Sequence, residues 1–232
     1  MTSTIKHVFF DLDRTLWDFN ANSREELANL WKTYNLHQKG ISLPEEFIKI
    51  YEKVNEECWA KYRKKEITKE ELRGKRFEDT LAYFGINEAG LAEKIGASYI
   101  KNSPQRTILV EGTLDLLAYL KKKYKLHVIT NGFNEVQHLK LNNCNLTPFF
   151  EKVITSDEVG VLKPNPEVFE YALEKANAKN TESIYIGDSL KIDVEGALNV
   201  GMQAIFFNPN KKVHSLDILG DVTTLKEIKN II

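Results

Sequence analysis

Cysteine is nearly missing from this chain, with two among 232 residues, Cys58 and Cys144. They are too few and too far apart for a disulfide framework, so we read a reduced compartment and two small packing side chains. Long apolar runs are missing too, and so is a charged-then-apolar leader pattern at the N-terminus. A helical membrane span is thereby excluded, and the expectation is a soluble, cytoplasmic protein. An excess of one charge is also missing: 32 Lys and Arg face 33 Asp and Glu, for a formal net charge of −1. That balance gives no reason to expect a nucleic acid polymer or an anionic membrane as partner. Repeats, low-complexity tracts and flexible linkers do not occur. The length suffices for one large domain, or for a core with an insertion.

What is present begins with a short apolar run, Val8 to Phe10, which reads as a buried strand. From residue 22 to about 101 the pattern is helical. Ser23 with Glu26 has the spacing of a capping box, followed by Leu27, Leu30, Trp31 and Tyr34. Pro44 opens a second helix with Phe47, Tyr51, Val54 and Cys58 on one face. Thr68 and Glu71 form another capping box before Phe77, Leu81 and Phe84, with Gly85 placed to stop the helix. Leu91, Ile95 and Tyr99 mark a fourth.

From about residue 108 the texture changes. A helix with Leu117, Leu120 and Tyr124 on one face leads to a strand over 126–129, ending at Thr130-Asn131-Gly132. A helix over about 135–143, a strand over 152–155 and a helix opened by Asn165 and Pro166 follow. Then come a strand over 183–186 ending at Gly187-Asp188, a helix over about 192–199, and a last clear strand over 204–207. Strands alternating with helices at this spacing call for a parallel sheet covered on both faces. The expected architecture is α/β: a core of residues 1–17 and 108–232, interrupted by an all-helical domain of residues 18–107.

In a parallel sheet, ligands gather outside the carboxyl ends of the strands. The polar residues of this chain sit at those ends: Asp11 and Asp13, Thr130 and Asn131, and Asp188, with Lys163 on a loop at the same rim and Asp193 five residues beyond Asp188. Taken singly, Thr130-Asn131-Gly132 is an ordinary turn, Lys163 an exposed lysine and Asp188-Ser189 a helix cap. Jointly they mark a site. Two carboxylates one residue apart repel, which raises the proton affinity of at least one unless a cation intervenes. The pair is a candidate metal ligand set, a nucleophile with its general acid, or both.

The ordered set Asp11-Leu-Asp13-Arg-Thr15, Thr130-Asn131-Gly132, Lys163-Pro-Asn-Pro-Glu-Val-Phe169 and Gly187-Asp188-Ser189 with Asp193 resembles the haloacid dehalogenase superfamily of phosphohydrolases. The resemblance implies a Rossmann-like core with an inserted helical cap. It assigns Asp11 as nucleophile, forming an aspartyl-phosphate, and Asp13 as the acid and base. It also implies Mg²⁺ held by Asp11, the backbone carbonyl of Asp13 and Asp188, with Asp193 orienting that shell. The resemblance further implies that Thr130 and the amide of Asn131 hold phosphate oxygens and that Lys163 neutralises charge between phosphate and Asp11. Relatives that displace halide lack an acid at the position of Asp13, so its presence favours phosphate esters. Arg14 departs from the glycine of many members, and its reading is a solvent-facing side chain.

For the cap, residues 61–76 hold eight Lys or Arg against three acids, an excess of +5. The run either steers an anionic ester or forms a solvated face with pairs such as Glu71 with Lys75. Arg73 and Arg76 are the candidate substrate contacts. Trp17 is placed either to stack on a substrate base or to pack at the joint between sheet and cap. The run from Asp11 to Phe19, with Leu72-Arg-Gly-Lys-Arg-Phe77, resembles the pyrimidine nucleotide 5′-phosphatases, which implies a nucleoside monophosphate, among small phosphorylated metabolites, as substrate. The rivals are a sugar-phosphate phosphatase or hexose-phosphate mutase, and a non-catalytic binding protein on the same fold.

Overall fold

In a computed structural model that describes residues 4–232, six strands form one parallel sheet. The first three residues of the expected core segment lie outside the described residues. In chain order the elements are β1 (His7–Phe10), α1 (Phe19–Thr33), α2 (Pro44–Arg63), α3 (Lys69–Tyr83), α4 (Leu91–Asn102), α5 (Thr113–Leu120), β2 (Lys125–Thr130), α6 (Asn134–Asn143), β3 (Lys152–Thr155), α7 (Ser156–Val159), α8 (Pro166–Ala176), β4 (Ser183–Gly187), α9 (Glu195–Asn199), β5 (Gln203–Phe207) and β6 (Gly220–Val222). The strand order is β3-β2-β1-β4-β5-β6. β1 thus lies at the point where the order reverses, between β2 and β4. No helix among the described residues is long and apolar enough to cross a membrane.

The chain divides into two compact units, Met1–Phe19 with Thr107–Ile232, and Asn20–Arg106. In the first, successive residues of β1 alternate between two cores. Val8 and Phe10 join Leu126, Val128, Ile184 and Ile186 on one face, under α5 and α6. Phe9 joins Ile129, Tyr185 and Phe206 on the other, under α8 and α9. Covering both faces is why β1 reads as an unbroken apolar run. Burying a phenylalanine in such a core contributes roughly 2–3 kcal/mol.

The second unit is helical throughout. Its core joins Leu27 and Leu30, Phe47 and Tyr51, Phe77 and Leu81, and Leu91, Ile95 and Tyr99, taking residues from all four of its helices. The Thr68 hydroxyl accepts from Glu71 N and the Glu71 carboxylate accepts from Thr68 N, completing the expected capping box. Ser23 and Glu26 are a correction. α1 begins at Phe19, so both lie inside it; the Ser23 hydroxyl meets Tyr99 and Glu26 accepts from Asn102 and Arg106. Tertiary partners won over a local capping pattern. Lys75 pairs with Asp79 instead of Glu71, Arg63 with Glu56 and Lys64 with Glu66, so three cations of the basic run are met by neighbouring acids.

Three further differences concern the first unit. α5 ends at Leu120, short of Tyr124. The segment over 192–199 starts as a π-helical turn, Leu190–Val194, before α9. β6 was not anticipated, because three residues with Gly220 and Asp221 carry no alternation to read; pairing with β5 makes it a strand.

Candidate active site

Asp11 follows β1 directly, and its N–H still donates to Ile186 O at 2.9 Å, as if the strand continued. The chain then folds into a tight turn in which Leu16 N and Trp17 N both donate to Leu12 O. Arg14 stands in that turn at φ 70°, a left-handed conformation costing an L-residue roughly 1–2 kcal/mol. Glycine would adopt it freely. The exposed Arg14 guanidinium lies 4.6 Å from the centroid of the Phe19 ring.

Lys163 is the hub of the site. It is 1% exposed, and its ammonium, with three N–H groups, is surrounded at hydrogen-bond distance by Asp11 Oδ1 at 2.8 Å, Asp193 Oδ1 at 2.7 Å, Tyr185 Oη at 2.6 Å and Ile129 O at 2.9 Å. Burial works against its charge, but Asp11 and Asp193 outweigh burial and hold its proton affinity above the ordinary lysine value. The loop carrying Lys163 is clamped by Asn131. The Asn131 Oδ1 accepts from Lys163 N at 2.7 Å and from Ser156 Oγ at 2.6 Å, while its Nδ2 donates to Lys163 O at 3.1 Å.

Asp11, Asp188 and Asp193 offer carboxylate oxygens within 4.8 Å of one another. Burial, reinforced by Asp193 and Asp188, pushes the Asp11 carboxyl well above the usual carboxylate range against the pull of Lys163. Burial and Asp193 push Asp188 up to about 7, against Arg14 and Lys163. Three carboxylates beside one buried ammonium leave two negative charges uncompensated, the charge of one divalent cation. The donor set is all oxygen, which suits a hard ion. Both oxygens of Asp193 are already engaged, by Lys163 and by Ser189 N at 3.0 Å, which fits an orienting role. Gly187 makes this approach possible, since a Cβ there would come within 2.6 Å of the Asp193 carboxylate.

The Asp13 carboxylate stands outside that trio. Lys140 Nζ donates to its Oδ1 at 2.6 Å and Gln137 Nε2 to its Oδ2 at 2.9 Å. These bonds engage the Asp13 carboxylate and not its backbone carbonyl, which is the metal share expected of Asp13. Gln137 Nε2 also donates to Thr130 Oγ1 at 2.6 Å, so the rim of β2 and the acid of β1 are tied through α6.

Two expected substrate contacts change. Trp17 is fully buried in the sheet's core, its ring facing Lys140 at 4.2 Å and set edge-on to Phe19, and it offers no face to a base. Arg76 is buried among the helices of the second unit, donating to Asn55 Oδ1 and lying over the rings of Phe77 and Tyr99. Arg73 is half-buried on the same helix.

Sequence reasoning missed Tyr185, Gln137 and Lys140. Tyr185 is masked as one more aromatic residue of a buried strand. The other two had a signal. α6 lacks a clean apolar stripe, burying Gln137, Lys140 and Leu141 while leaving Leu139 exposed, and a helix that buries its polar residues has work for them.

Residues 8–207 match the family model of the haloacid dehalogenase-like hydrolases. The chain belongs to that family. The pyrimidine 5′-nucleotidase YjjG of Escherichia coli is 28% identical over 97% of this chain and 96% of its own length. The glyceraldehyde 3-phosphate phosphatase of Methanothermobacter thermautotrophicus is 31% identical over 97% of this chain and 99% of its own. A crystal structure of the HAD-hydrolase YfnB of Bacillus subtilis, bound to magnesium and showing interdomain movement, superposes with a TM-score of 0.88 at 26% identity, covering 99% of each chain. As a haloacid dehalogenase-like hydrolase with an acid at Asp13, the chain is a phosphoric monoester hydrolase.

Proposed function

We propose that this chain is a Mg²⁺-dependent phosphatase acting on a small phosphate monoester, a nucleoside 5′-monophosphate before a sugar phosphate, through an aspartyl-phosphate on Asp11. One observation carries the reading: a carboxylate at the end of the central strand, bonded to a buried lysine and pressed by two further carboxylates, beside a second acid that is separately held. The crowding keeps Asp11 from a relaxed ion pair and suits an attacking group.

An Asp11 oxygen attacks phosphorus, the bond from phosphorus to the ester oxygen breaks, and Asp13 gives its proton to that oxygen, releasing the alcohol. Water then attacks the aspartyl-phosphate and gives its proton to Asp13. The bond from phosphorus to Asp11 breaks, and inorganic phosphate leaves. Thr130, through its hydroxyl, and Asn131, through its backbone N–H, hold phosphoryl oxygens, and Lys163 balances the charge that builds between phosphate and Asp11. Asp11, Asp188 and the Asp13 carbonyl would hold Mg²⁺, with Asp193 orienting them, and a bound ion would supply screening of the carboxylates and of the phosphoryl charge.

In this reading the core is formed by residues 1–17 and 108–232, and residues 18–107 act as the cap that sets specificity, with Arg73 the foremost candidate contact. The nucleotidase activity of the E. coli relative supports a nucleotide. The archaeal relative's activity keeps a sugar phosphate as the second reading. Phosphate release from a panel of nucleoside monophosphates and sugar phosphates, with and without Mg²⁺, tests both. Asp11→Asn is expected to fold and to lose at least about 10³-fold in turnover, as removal of a nucleophile does. Full activity in that variant sinks the mechanism, and a preference for sugar phosphates removes the nucleotide reading alone.

A further inference from the structure

The acid of this reaction is held by two side chains that belong to none of the four motifs. Gln137 and Lys140 lie one turn apart on α6 and both are buried. The Lys140 ammonium is fixed between the Asp13 carboxylate, at 2.6 Å, and the face of Trp17, at 4.2 Å. Gln137 Nε2 takes the other Asp13 oxygen and Thr130 Oγ1 together. Each oxygen of Asp13 therefore has its own donor from one rigid helix, which fixes the plane of the carboxylate as well as its place.

The same arrangement prepares Thr130. Its Oγ1 accepts from Gln137 Nε2 and from Gly132 N at 3.2 Å. With both lone pairs engaged, the hydroxyl hydrogen remains to be donated, which is what a phosphoryl oxygen requires. Gly132 exists in this turn for the glutamine's sake: a Cβ there would lie 2.3 Å from Gln137 Nε2. Burying a lysine and an amide on a helix where leucine or methionine would pack is costly unless their polar groups are used.

We propose that Gln137 and Lys140 are positioning residues for the general acid Asp13, Gln137 also setting the Thr130 hydroxyl as a phosphate donor, so that proton delivery to the leaving oxygen depends on both. The proposal rests on the phosphatase reading above. It has a signature that a packing role lacks. The constant kcat/KM reports every step through departure of the leaving group. A leaving group that is stable as an anion departs without a proton, whereas a poor one needs the acid in place.

The test compares phenyl phosphate with p-nitrophenyl phosphate, two esters of similar shape whose leaving groups differ in acidity. Lys140→Met is expected to lower kcat/KM about 10- to 30-fold for phenyl phosphate and less than about 3-fold for the nitro ester, with Lys140→Arg recovering most of the loss. Gln137→Leu is expected to show the same selectivity on top of a uniform loss of about 5-fold from Thr130. Equal losses on both esters, or none on either, overturn the proposal. If Lys140→Met melts below the assay temperature, Gln137→Leu, which keeps the volume and removes no charge, decides alone. Failure of the unaltered protein to release phosphate from either ester, before any variant is compared, defeats the phosphatase reading instead.

Discussion

Two buried carboxylate sites, one in each compact unit, are treated in opposite ways. In the helical unit Glu26 is fully buried and answered on both oxygens: Asn102 Nδ2 donates to one at 3.1 Å, and Arg106 donates to the other through Nε and Nη2 at 3.2 and 2.7 Å. In the α/β unit Asp11 and Asp193 share one lysine with Asp188 crowded beside them, and two of the three are driven upward in proton affinity. A matched buried charge fixes a structure. An unmatched one is held by the surrounding fold for use on something that arrives.

The sharpest way to break this comparison is to neutralise one partner in each unit. Asp188→Asn is expected to cut turnover by about 10²- to 10³-fold and to abolish any rise in melting temperature on adding Mg²⁺. The metal-free protein should melt at the same temperature or slightly higher, because a like-charge repulsion is gone; a large fall in that temperature contradicts the unmatched-charge account. Glu26→Gln is expected to do the reverse, with a stability loss of about 2 kcal/mol in denaturant melts, since Arg106 loses its buried carboxylate and keeps only the exposed Glu25, while the folded fraction keeps its kcat.

A third test concerns a buried titratable pair away from the reaction. His127 is fully buried in β2, 3.1 Å from His7 and stacked on Phe9, and burial, then His7, lowers its pKa to about 3. In the unfolded chain it titrates near 6.5. The unfolded state therefore binds the extra proton first, and stability is lost as pH falls from about 6.5 towards 3, by a few kcal/mol in total. His127→Phe is expected to flatten the fall of melting temperature between pH 6.5 and 4; an unchanged slope removes His127 as its cause. The smallest effect is at the surface of the helical unit. Thr68→Ala is expected to cost about 1 kcal/mol with no change in kcat, read by thermal melts beside an activity assay.

The α/β architecture was legible because its causes are local and periodic. Val8 to Phe10 is apolar without interruption since both faces of the sheet are covered, and Asn165-Pro166 opens α8 through short-range cap chemistry, the Asn165 side chain accepting from Glu167 N. β6 was not legible, because its strand character comes from its neighbour. Ser23 and Glu26 misled, because a local capping pattern was outbid by Tyr99, Asn102 and Arg106, residues about 80 positions away.

The candidate site divides in the same way. The amino-acid order by itself determined which residue types stand at the ends of the strands, Asp11, Asp13, Thr130 and Asp188, since a parallel sheet delivers those ends to one rim whatever else the chain does. Only the tertiary structure decided how their charges are shared: that Lys163 serves Asp11 and Asp193 together, that Asp13 belongs to Lys140 and Gln137, and that Trp17 lies buried in the core beneath a lysine. Those pairings join residues more than 100 positions apart or depend on which face of a helix turns inward. Electrostatic energy depends on distance in space, which no sequence spacing records.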